Sequence, residues 1–467
     1  MSSEHLPLTT GQEALWFLHR MAPTSPAYNV AMAVRIHQRV DDQALRRAVQ
    51  RVLERHELLR SRFTEVDGTP YRVVHRGPIE VLELHELPGA ADTELHERAH
   101  AAVNRPFDLT APGPIRVLLL RPSPSDAVLL VVAHHLATDG ASQVIVLGDL
   151  LTAYRAELDG TEPNWPELRR PFQELVDAEE ELLTSPRRAE LADYWREVCS
   201  GAPPVLELPV DHQRPARKRY AGASHDLRLP EELVQRLRPA AAAAAVTPFA
   251  VLFGTFQALL HRWTTQADFL VGYAVTTRPE RTMKDAVGYF VNTLPHRVRI
   301  GRQLTFRQLF GAIGEQVRQD LAHRDFPLPL LPGELGLAAD PGRTPVFQAM
   351  FSLVAANRFQ PLLELLALGD PGAELIHHEL RLSGFAVPQQ EGQFDLSAEV
   401  LAGTGGVKVA LKYDADLFEP ATVARMAAHY ERLLAAALAD PDTPVAAVDL
   451  VDPAEREALL AFATGQW

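Results

Sequence analysis

The chain has 467 residues, 46% hydrophobic and 23% charged, the proportions of an ordinary globular protein of roughly two to four domains. Its 46 Lys and Arg against 60 Asp and Glu leave a formal charge of −14, which excludes a general nucleic-acid binder, because such a protein needs a basic face to release counterions. One cysteine, Cys199, excludes an internal disulfide framework and a multi-thiolate metal centre, fits a cytoplasmic protein, and is expected to be an inert packing residue.

Residues 1–10 lack the basic start and apolar run of a secretion signal. The most apolar windows, such as Ala127–Ala133, fall far short of the roughly 20 residues that span a bilayer. The 36 prolines punctuate the whole chain, as ordered loops do.

The pattern alternates helix and strand. A short amphipathic helix is expected at Gln12–Met21 behind the cap-like Thr9 and Thr10. A strand follows at Tyr28–Ile36, then a helix at Asp41–Arg55 with Leu45, Val49 and Leu53 on one stripe. Strands are expected at Leu58–Phe63, Tyr71–Val74 and Ile79–Glu83, and a helix at Ala91–Val103. Two strands, Ile115–Leu120 and Val128–Ala133, lead into a helix at Ala141–Tyr154. The turn-rich segment Asp159–Pro171 is the best candidate boundary between lobes.

A second pass of similar order follows. It has helical sequence from Phe172 to Cys199 broken at Ser185–Pro186, a strand at Ser224–Leu229, and an apolar helix opened by Thr247 and Pro248 and running to Trp263. Further strands are expected at Phe269–Val275, Val346–Val354, Leu375–Leu380, Phe394–Val400 and Val407–Tyr413. Helices are expected at Phe306–Ala322 and Pro420–Ala439, and the alanine run Ala240–Ala245 reads as helix or linker. No sequence repeat is visible, but the order suggests a pair of α/β lobes with a ligand site between them.

Leu129–Ser142, LLVVAHHLATDGAS, carries the chemistry. An apolar strand runs into His134–His135, and Asp139–Gly140 open a helix. Successive strand side chains point to opposite faces, so the two histidines should split roles, one reactive and one structural. Spacing alone leaves open which one faces the cavity. Asp139 reads first as a helix N-cap or a carboxylate in an ion pair, and second as a direct orienter of a histidine. Gly140 permits either a positive φ or the close approach of a ligand.

HHLATDG resembles the HHxxxDG motif of the condensation domains of nonribosomal peptide synthetases, in the superfamily of chloramphenicol acetyltransferase. Further segments, in family order over nearly the whole chain, strengthen the resemblance. They are TGQEALWFL (Thr10–Leu18), RHELLRSRF (Arg55–Phe63), DYW (Asp193–Trp195), VGYFVNTLPHR (Val287–Arg297), HRDFPLP (His323–Pro329) and DPGRTPVF (Asp340–Phe347).

The resemblance implies an α/β fold of two acetyltransferase-like lobes, residues 1–170 and 171–467, arranged as a V around a tunnel. Carrier proteins dock at the two tunnel ends and bring their substrates in on phosphopantetheine arms. The chain itself is then expected to bind no cofactor or metal. Its partners are donor and acceptor carrier proteins and a small-molecule acyl acceptor, and it is expected to be a monomer with no nucleic-acid or membrane partner. In this reading His135 faces the tunnel, His134 is structural, and Asp139 forms a buried ion pair with Arg278 or Arg60. Gly140 offers a backbone N–H to an oxyanion, Ser142 and Asn292 are candidate substrate contacts, and Asn292 reads also as a residue that holds its loop. Imidazole can take a proton from an amine near neutrality, and tethering two substrates supplies much of the rate.

Arg278–Asn292 matches the place of the family's floor loop. Ser383–Val400 matches its latch, crossing from the second lobe to the first. Pro388–Val400, with PLPLLPGELG and TPVFQAMF, resembles the subtype at polyketide–peptide junctions and suggests a non-α-amino acyl donor. Ala141 stands where many members have Trp. The DxxxxD form of heterocyclisation domains is absent, and both histidines are retained, which disfavours a degenerate recruitment domain. The remaining histidines, including His377–His378, read as surface or structural.

The start at Met1 suggests a free-standing enzyme. The terminal ALLAFATGQ resembles a linker to an adenylation domain and keeps an excised domain open. Two rival functions stand beside condensation: an acyltransferase using a soluble CoA thioester, and a non-catalytic carrier-docking platform. The basic pairs Arg169–Arg170 and Arg187–Arg188 are candidate docking contributors on an otherwise acidic body.

Overall fold

The computed structural model describes residues 5–356, 360–368, 372–387, 392–451 and 456. The terminal ALLAFATGQ and the first residues of the Pro388–Val400 string lie outside them. Two six-stranded mixed sheets organise the rest.

The first sheet runs, edge to edge, Glu374–His377, Leu380–Gly384, Asn29–Ile36, Asp126–His134, Ile115–Ser123, Leu82–Glu86. Its central strand Asp126–His134 is almost wholly buried, because helices cover both faces. Val131 and Ala133 belong to the core shared with helices Asp42–Arg55 and Gly140–Asp159. Val128, Leu130 and Val132 belong to the core shared with helices Thr10–Met21 and Asp92–Val103. Burial on both faces explains why the strand reads as an unbroken apolar run rather than an alternation.

The second sheet runs Gly222–Arg228, Gly406–Asp414, Leu396–Gly403, Ala349–Ala355, Asp268–Thr276, Val291–Arg299. Its core is the larger one, built on the apolar helix Pro248–Thr264 and the long helix Pro420–Ala439. Thr247 caps the former by accepting from the Ala250 N–H, with Pro248 at the first turn. The alanine run is helical, within Glu231–Ala243, although Pro239 lies inside. This helix and Pro248–Thr264 meet at 105°, and no single helix among the described residues is long and apolar enough to cross a membrane. Cys199 is buried, and desolvation pushes its thiol up to about 12.

Some elements differ from the sequence expectation. Leu375–Leu380 is not one strand. His378 and Glu379 both take positive φ, 47° and 62°, the signature of a tight two-residue hairpin turn, so the segment folds back as Glu374–His377 and Leu380–Gly384. Helix Pro361–Leu368 and strand Val291–Arg299 are additional.

The hairpin also changes how the halves are joined. It adds to the edge of the first sheet, Val34 opposite Gly384 and Ile36 opposite Leu382, although it falls within the 171–467 span expected for the second lobe. The chain therefore crosses twice. Between Ala355 and Glu374 it enters the first sheet, and between Gly384 and Leu396 it returns to the second. Only the return leg falls within the expected latch Ser383–Val400, and it runs from the first sheet to the second. His37 bonds the Ser383 hydroxyl at 2.8 Å, the His96 ring stacks on Phe385 at 4.1 Å, and the Gln393 amide donates to the Ala27 carbonyl at 2.7 Å.

Leu382 is fully buried in this added strand. Leu382→Ala is expected to cost about 3 kcal/mol in urea unfolding, the usual cost of truncating a buried leucine, and to speed amide exchange at its partner Ile36.

Candidate active site

The strand Asp126–His134 ends at His134, which stands opposite Asn29. The His135 N–H donates to the Tyr28 carbonyl at 2.7 Å, carrying the pairing one residue further. The chain then turns through Leu136–Thr138 into helix Gly140–Asp159. Gln12 holds this turn, donating from its side-chain amide to the Leu136 carbonyl at 2.9 Å. Gln12 also forms a capping box with Thr9 at the start of its own helix. The Thr-x-x-Gln spacing is the available signal for this residue, which the sequence reading did not place at the site.

The two imidazoles are held in opposite tautomers. His135 Nδ1 lies 2.7 Å from the Thr138 carbonyl. A carbonyl only accepts, so Nδ1 carries the proton and Nε2 presents a lone pair. His134 Nδ1 accepts from the Leu136 N–H at 3.1 Å, so its proton sits on Nε2. His134 is buried, edge-on to His19 at 5.7 Å and to Phe107 at 6.4 Å. Burial, then His19 and His135, hold its pKa well below the usual histidine value. His135 is partly exposed; burial lowers its pKa too, while the Thr138 carbonyl and the Asp139 charge oppose the shift.

Asp139 caps the following helix by accepting from the Ser142 N–H at 2.6 Å. Its carboxylate also accepts from Arg278 Nη2 at 3.0 and 3.2 Å and from the Phe290 N–H at 3.0 Å. Both charged side chains are buried, at 3% and 8% exposure. Arg278 further donates to the Ser142 hydroxyl at 2.8 Å and the Met283 carbonyl at 3.2 Å, and also to the Ala286 carbonyl. Its guanidinium lies 3.9 Å over the Phe290 ring. Burial lowers the Arg278 pKa and Asp139 opposes that shift.

Of the two partners expected for Asp139, the structure thus brings Arg278. Arg60 is elsewhere, donating to the His75 carbonyl at 2.6 Å.

Two residues expected to contact substrate have their polar atoms committed to protein. The Ser142 hydroxyl donates to the Gly288 carbonyl at 2.9 Å and accepts from Arg278 and from the Gly288 N–H at 3.1 Å, which uses its one donor and both lone pairs. The Asn292 amide donates to the carbonyls of Arg324 and Phe326 at 2.8 and 2.7 Å and accepts from the Leu328 N–H at 3.1 Å. It clamps HRDFPLP. The DYW element supports the same loop: Trp195 donates to the His323 carbonyl at 3.1 Å, and Tyr194 stacks on His323 at 3.7 Å.

Gly140 does not take a positive φ, and a Cβ built there meets nothing within 4 Å. Gly140 and Ala141 are exposed first residues of the helix, where N–H groups have no intrahelical acceptor. Open space and free donors at a helix N-terminus suit an anion.

The segment 278–292 packs into the core of the first sheet, with Met283, Ala286 and Phe290 in one cluster with Leu130 and Val132. Tyr289 packs edge-on to His135 at 5.1 Å, and Phe290 meets Phe172 at 5.4 Å. This approach explains Gly11: a Cβ there would sit 2.6 Å from the Tyr289 ring. Arg55 and His56 bind Asp149 at 2.7 and 2.9 Å, bracing helix Gly140–Asp159 from behind. The candidate docking arginines are partnered: Arg170 with Glu174, Arg187 with Glu190, Arg188 with Glu334, and Arg169 with the Arg281 carbonyl. No cluster suited to a metal occurs among the described residues.

A family model, "Condensation domain", matches residues 2–460. A linear gramicidin synthase of Brevibacillus parabrevis is 32% identical over 463 residues, which is 98% of this chain and 6% of that protein. The chain thus spans a small part of this curated relative. Among solved structures, a four-domain nonribosomal peptide synthetase bound to AMP and glycine superposes with a TM-score of 0.89 at 23% identity, covering 98% of this chain and 35% of that one. The X-domain from teicoplanin biosynthesis superposes with a TM-score of 0.83 at 26% identity, covering 96% and 98%.

Removing the Arg278 charge leaves a buried carboxylate short of its strongest partner. Arg278→Met is expected to cost about 3–5 kcal/mol in denaturant unfolding. His134 gives a pH signature. Its folded pKa lies below the unfolded one, so its contribution is complete above about pH 6.5 and is lost as pH falls through the folded value. Urea midpoints should fall from pH 7.5 to pH 5 in the wild type and fall less in His134→Asn, which keeps an acceptor for the Leu136 N–H.

Proposed function

This chain belongs to the condensation-domain family, and on that premise we propose that it joins a carrier-tethered acyl thioester to an amine, releasing the carrier's thiol and forming an amide. A hydroxyl acceptor would give an ester by the same steps. The observation that carries the reading is the His135 tautomer: with Nδ1–H on the Thr138 carbonyl, Nε2 is left as a base beside the exposed N-terminus of helix Gly140–Asp159.

The steps follow from that geometry. Nε2 takes the proton of the attacking nitrogen as the C–N bond forms. The developing oxyanion draws on N–H groups of the first helical turn, Gly140 foremost. The protonated imidazole returns its proton to the departing sulfur as the C–S bond breaks. Asp139 keeps its carboxylate on Arg278 and Phe290, so it holds the loop and stabilises imidazolium from a distance rather than bonding to the ring. Arg278 and Ser142 act as positioning residues, and Asn292 as a loop clamp.

The partners in this proposal are donor and acceptor carrier proteins, whose phosphopantetheine arms bring the substrates; the chain supplies no cofactor, acts as a monomer and works in the cytoplasm. The two lobes form a V around the tunnel that admits those arms, divided near residue 170 with the hairpin Glu374–Gly384 lent to the first. The donor is an aminoacyl group or, by the polyketide–peptide likeness, a non-α-amino acyl group.

A second reading is a recruitment platform, favoured by the likeness to the X-domain, of which one solved structure is a complex with OxyB. Retention of both histidines, with His135 in a poised tautomer, supports catalysis over it.

Turnover is read by intact mass of carrier proteins loaded with aminoacyl or polyketide-type donors, against the same acyl groups on CoA. His135→Ala is expected to abolish product while carrier binding persists; wild-type turnover in that variant would sink the assignment. Because burial lowers the His135 pKa, kcat should hold level as pH falls to about 6.5, the ordinary histidine value, and drop only below it.

A further inference from the structure

Three tyrosines lead outward from His135, and the steps above use none of them. Tyr289 packs edge-on to the His135 ring at 5.1 Å. Tyr28 supplies the carbonyl that receives the His135 N–H. Tyr220, from the second half of the chain, sets its ring 6.4 Å from that of Tyr28 at 60°. All three are partly exposed. Burial raises each phenol above its ordinary pKa, and at Tyr28 the other two phenols add to the effect, so the hydroxyls are neutral donors at neutral pH. Among the described residues, none of the three hydroxyls has a protein hydrogen-bond partner.

The backbone at Tyr220 is the second observation. Its φ is 57°, in the left-handed region that an aromatic residue seldom enters. The neighbouring chain fixes it there. Gly392, itself at φ 77°, passes so close that a Cβ would lie 2.9 Å from the Tyr220 carbonyl carbon and oxygen. On either side, Arg219 pairs with Asp416, and the Ala221 carbonyl accepts from the Ala415 N–H at 2.8 Å. Glycine or asparagine would hold this conformation with less strain. A tyrosine kept in it, with its ring turned to the other half of the chain, is an outlier of the kind that clusters at functional sites.

We infer that Tyr220, together with Tyr28, forms a two-sided wall that positions the acyl substrate against His135. The ring faces take its carbon chain, and the free hydroxyls donate to its uncharged carbonyl oxygens. Tyrosine suits such a ligand because one side chain supplies both an apolar face and a polar tip. One ring comes from each half of the chain, so the wall exists only when the two halves are packed together. The inference rests on the acyl-transfer reading above.

The test uses the full chain with glycyl- and leucyl-loaded carrier protein as donors and leucyl N-acetylcysteamine thioester as acceptor. Tyr220→Phe removes only the hydroxyl; Tyr220→Gly removes the ring and relieves the backbone. Rates are taken where circular dichroism shows each variant folded. The expected result is a KM for donor raised about threefold in Tyr220→Phe and about tenfold or more in Tyr220→Gly, with kcat moved less, the pattern of lost substrate binding. A purely structural role lowers apparent kcat through the folded fraction and leaves KM where it was; that outcome, or wild-type constants in both variants, overturns the inference. His135→Ala runs alongside. If it is inactive while both Tyr220 variants behave as wild type, only the tyrosine wall fails; if it turns over normally, the acyl-transfer reading fails with it.

Discussion

The buried pair of Asp139 and Arg278 is the constraint on which the site depends. Two opposite charges out of water are stable only if their remaining hydrogen-bonding capacity is met. Here the Ser142 and Phe290 N–H groups add to the carboxylate, the Ser142 hydroxyl and two backbone carbonyls take the guanidinium's terminal N–H groups, and Arg278 Nε is left buried without a partner among the described residues. The donors and acceptors come from both halves of the chain. One buried network therefore starts the helix after the histidines, fixes the segment 278–292 in the core of the first sheet, and brings Tyr289 to the His135 ring.

His135 inherits its tautomer from that arrangement. With the helix start fixed, the Thr138 carbonyl faces His135 Nδ1 and decides which nitrogen is free. Gln12 secures the same turn from a different helix. His134, one residue earlier and on the opposite side of the strand, is desolvated and takes the reverse tautomer. Adjacent, chemically identical side chains thus take opposite tautomers and different burial through strand alternation and two hydrogen bonds.

Much of this was legible in the chain. The apolar run before His134, the Asp139 cap and the helix behind it were readable because they are local, and the family resemblance placed the motif. Which histidine is free, and that Arg278 rather than Arg60 meets Asp139, required the fold. Ser142 shows the limit of motif reading: its hydroxyl is spent on Gly288 and Arg278, far away in sequence. Asn292 bonds backbone groups of the 324–328 loop, in keeping with the loop-holding reading of the sequence. The hairpin at His378–Glu379 escaped because neither residue is a glycine, although both take positive φ.

The sequence by itself determined the alternation of helices and strands, the opposite facing of the adjacent histidines, and the family. These depend on periods of two and 3.6 residues and on short motifs. The tertiary structure alone decided the partners. Asp139 and Arg278 are 139 residues apart, Leu382 completes a sheet begun at Asn29, and Tyr220 meets Tyr28 across the two halves. No local pattern encodes such pairs, because they are selected by which buried charges, sheet edges and ring faces the packed chain leaves to be satisfied.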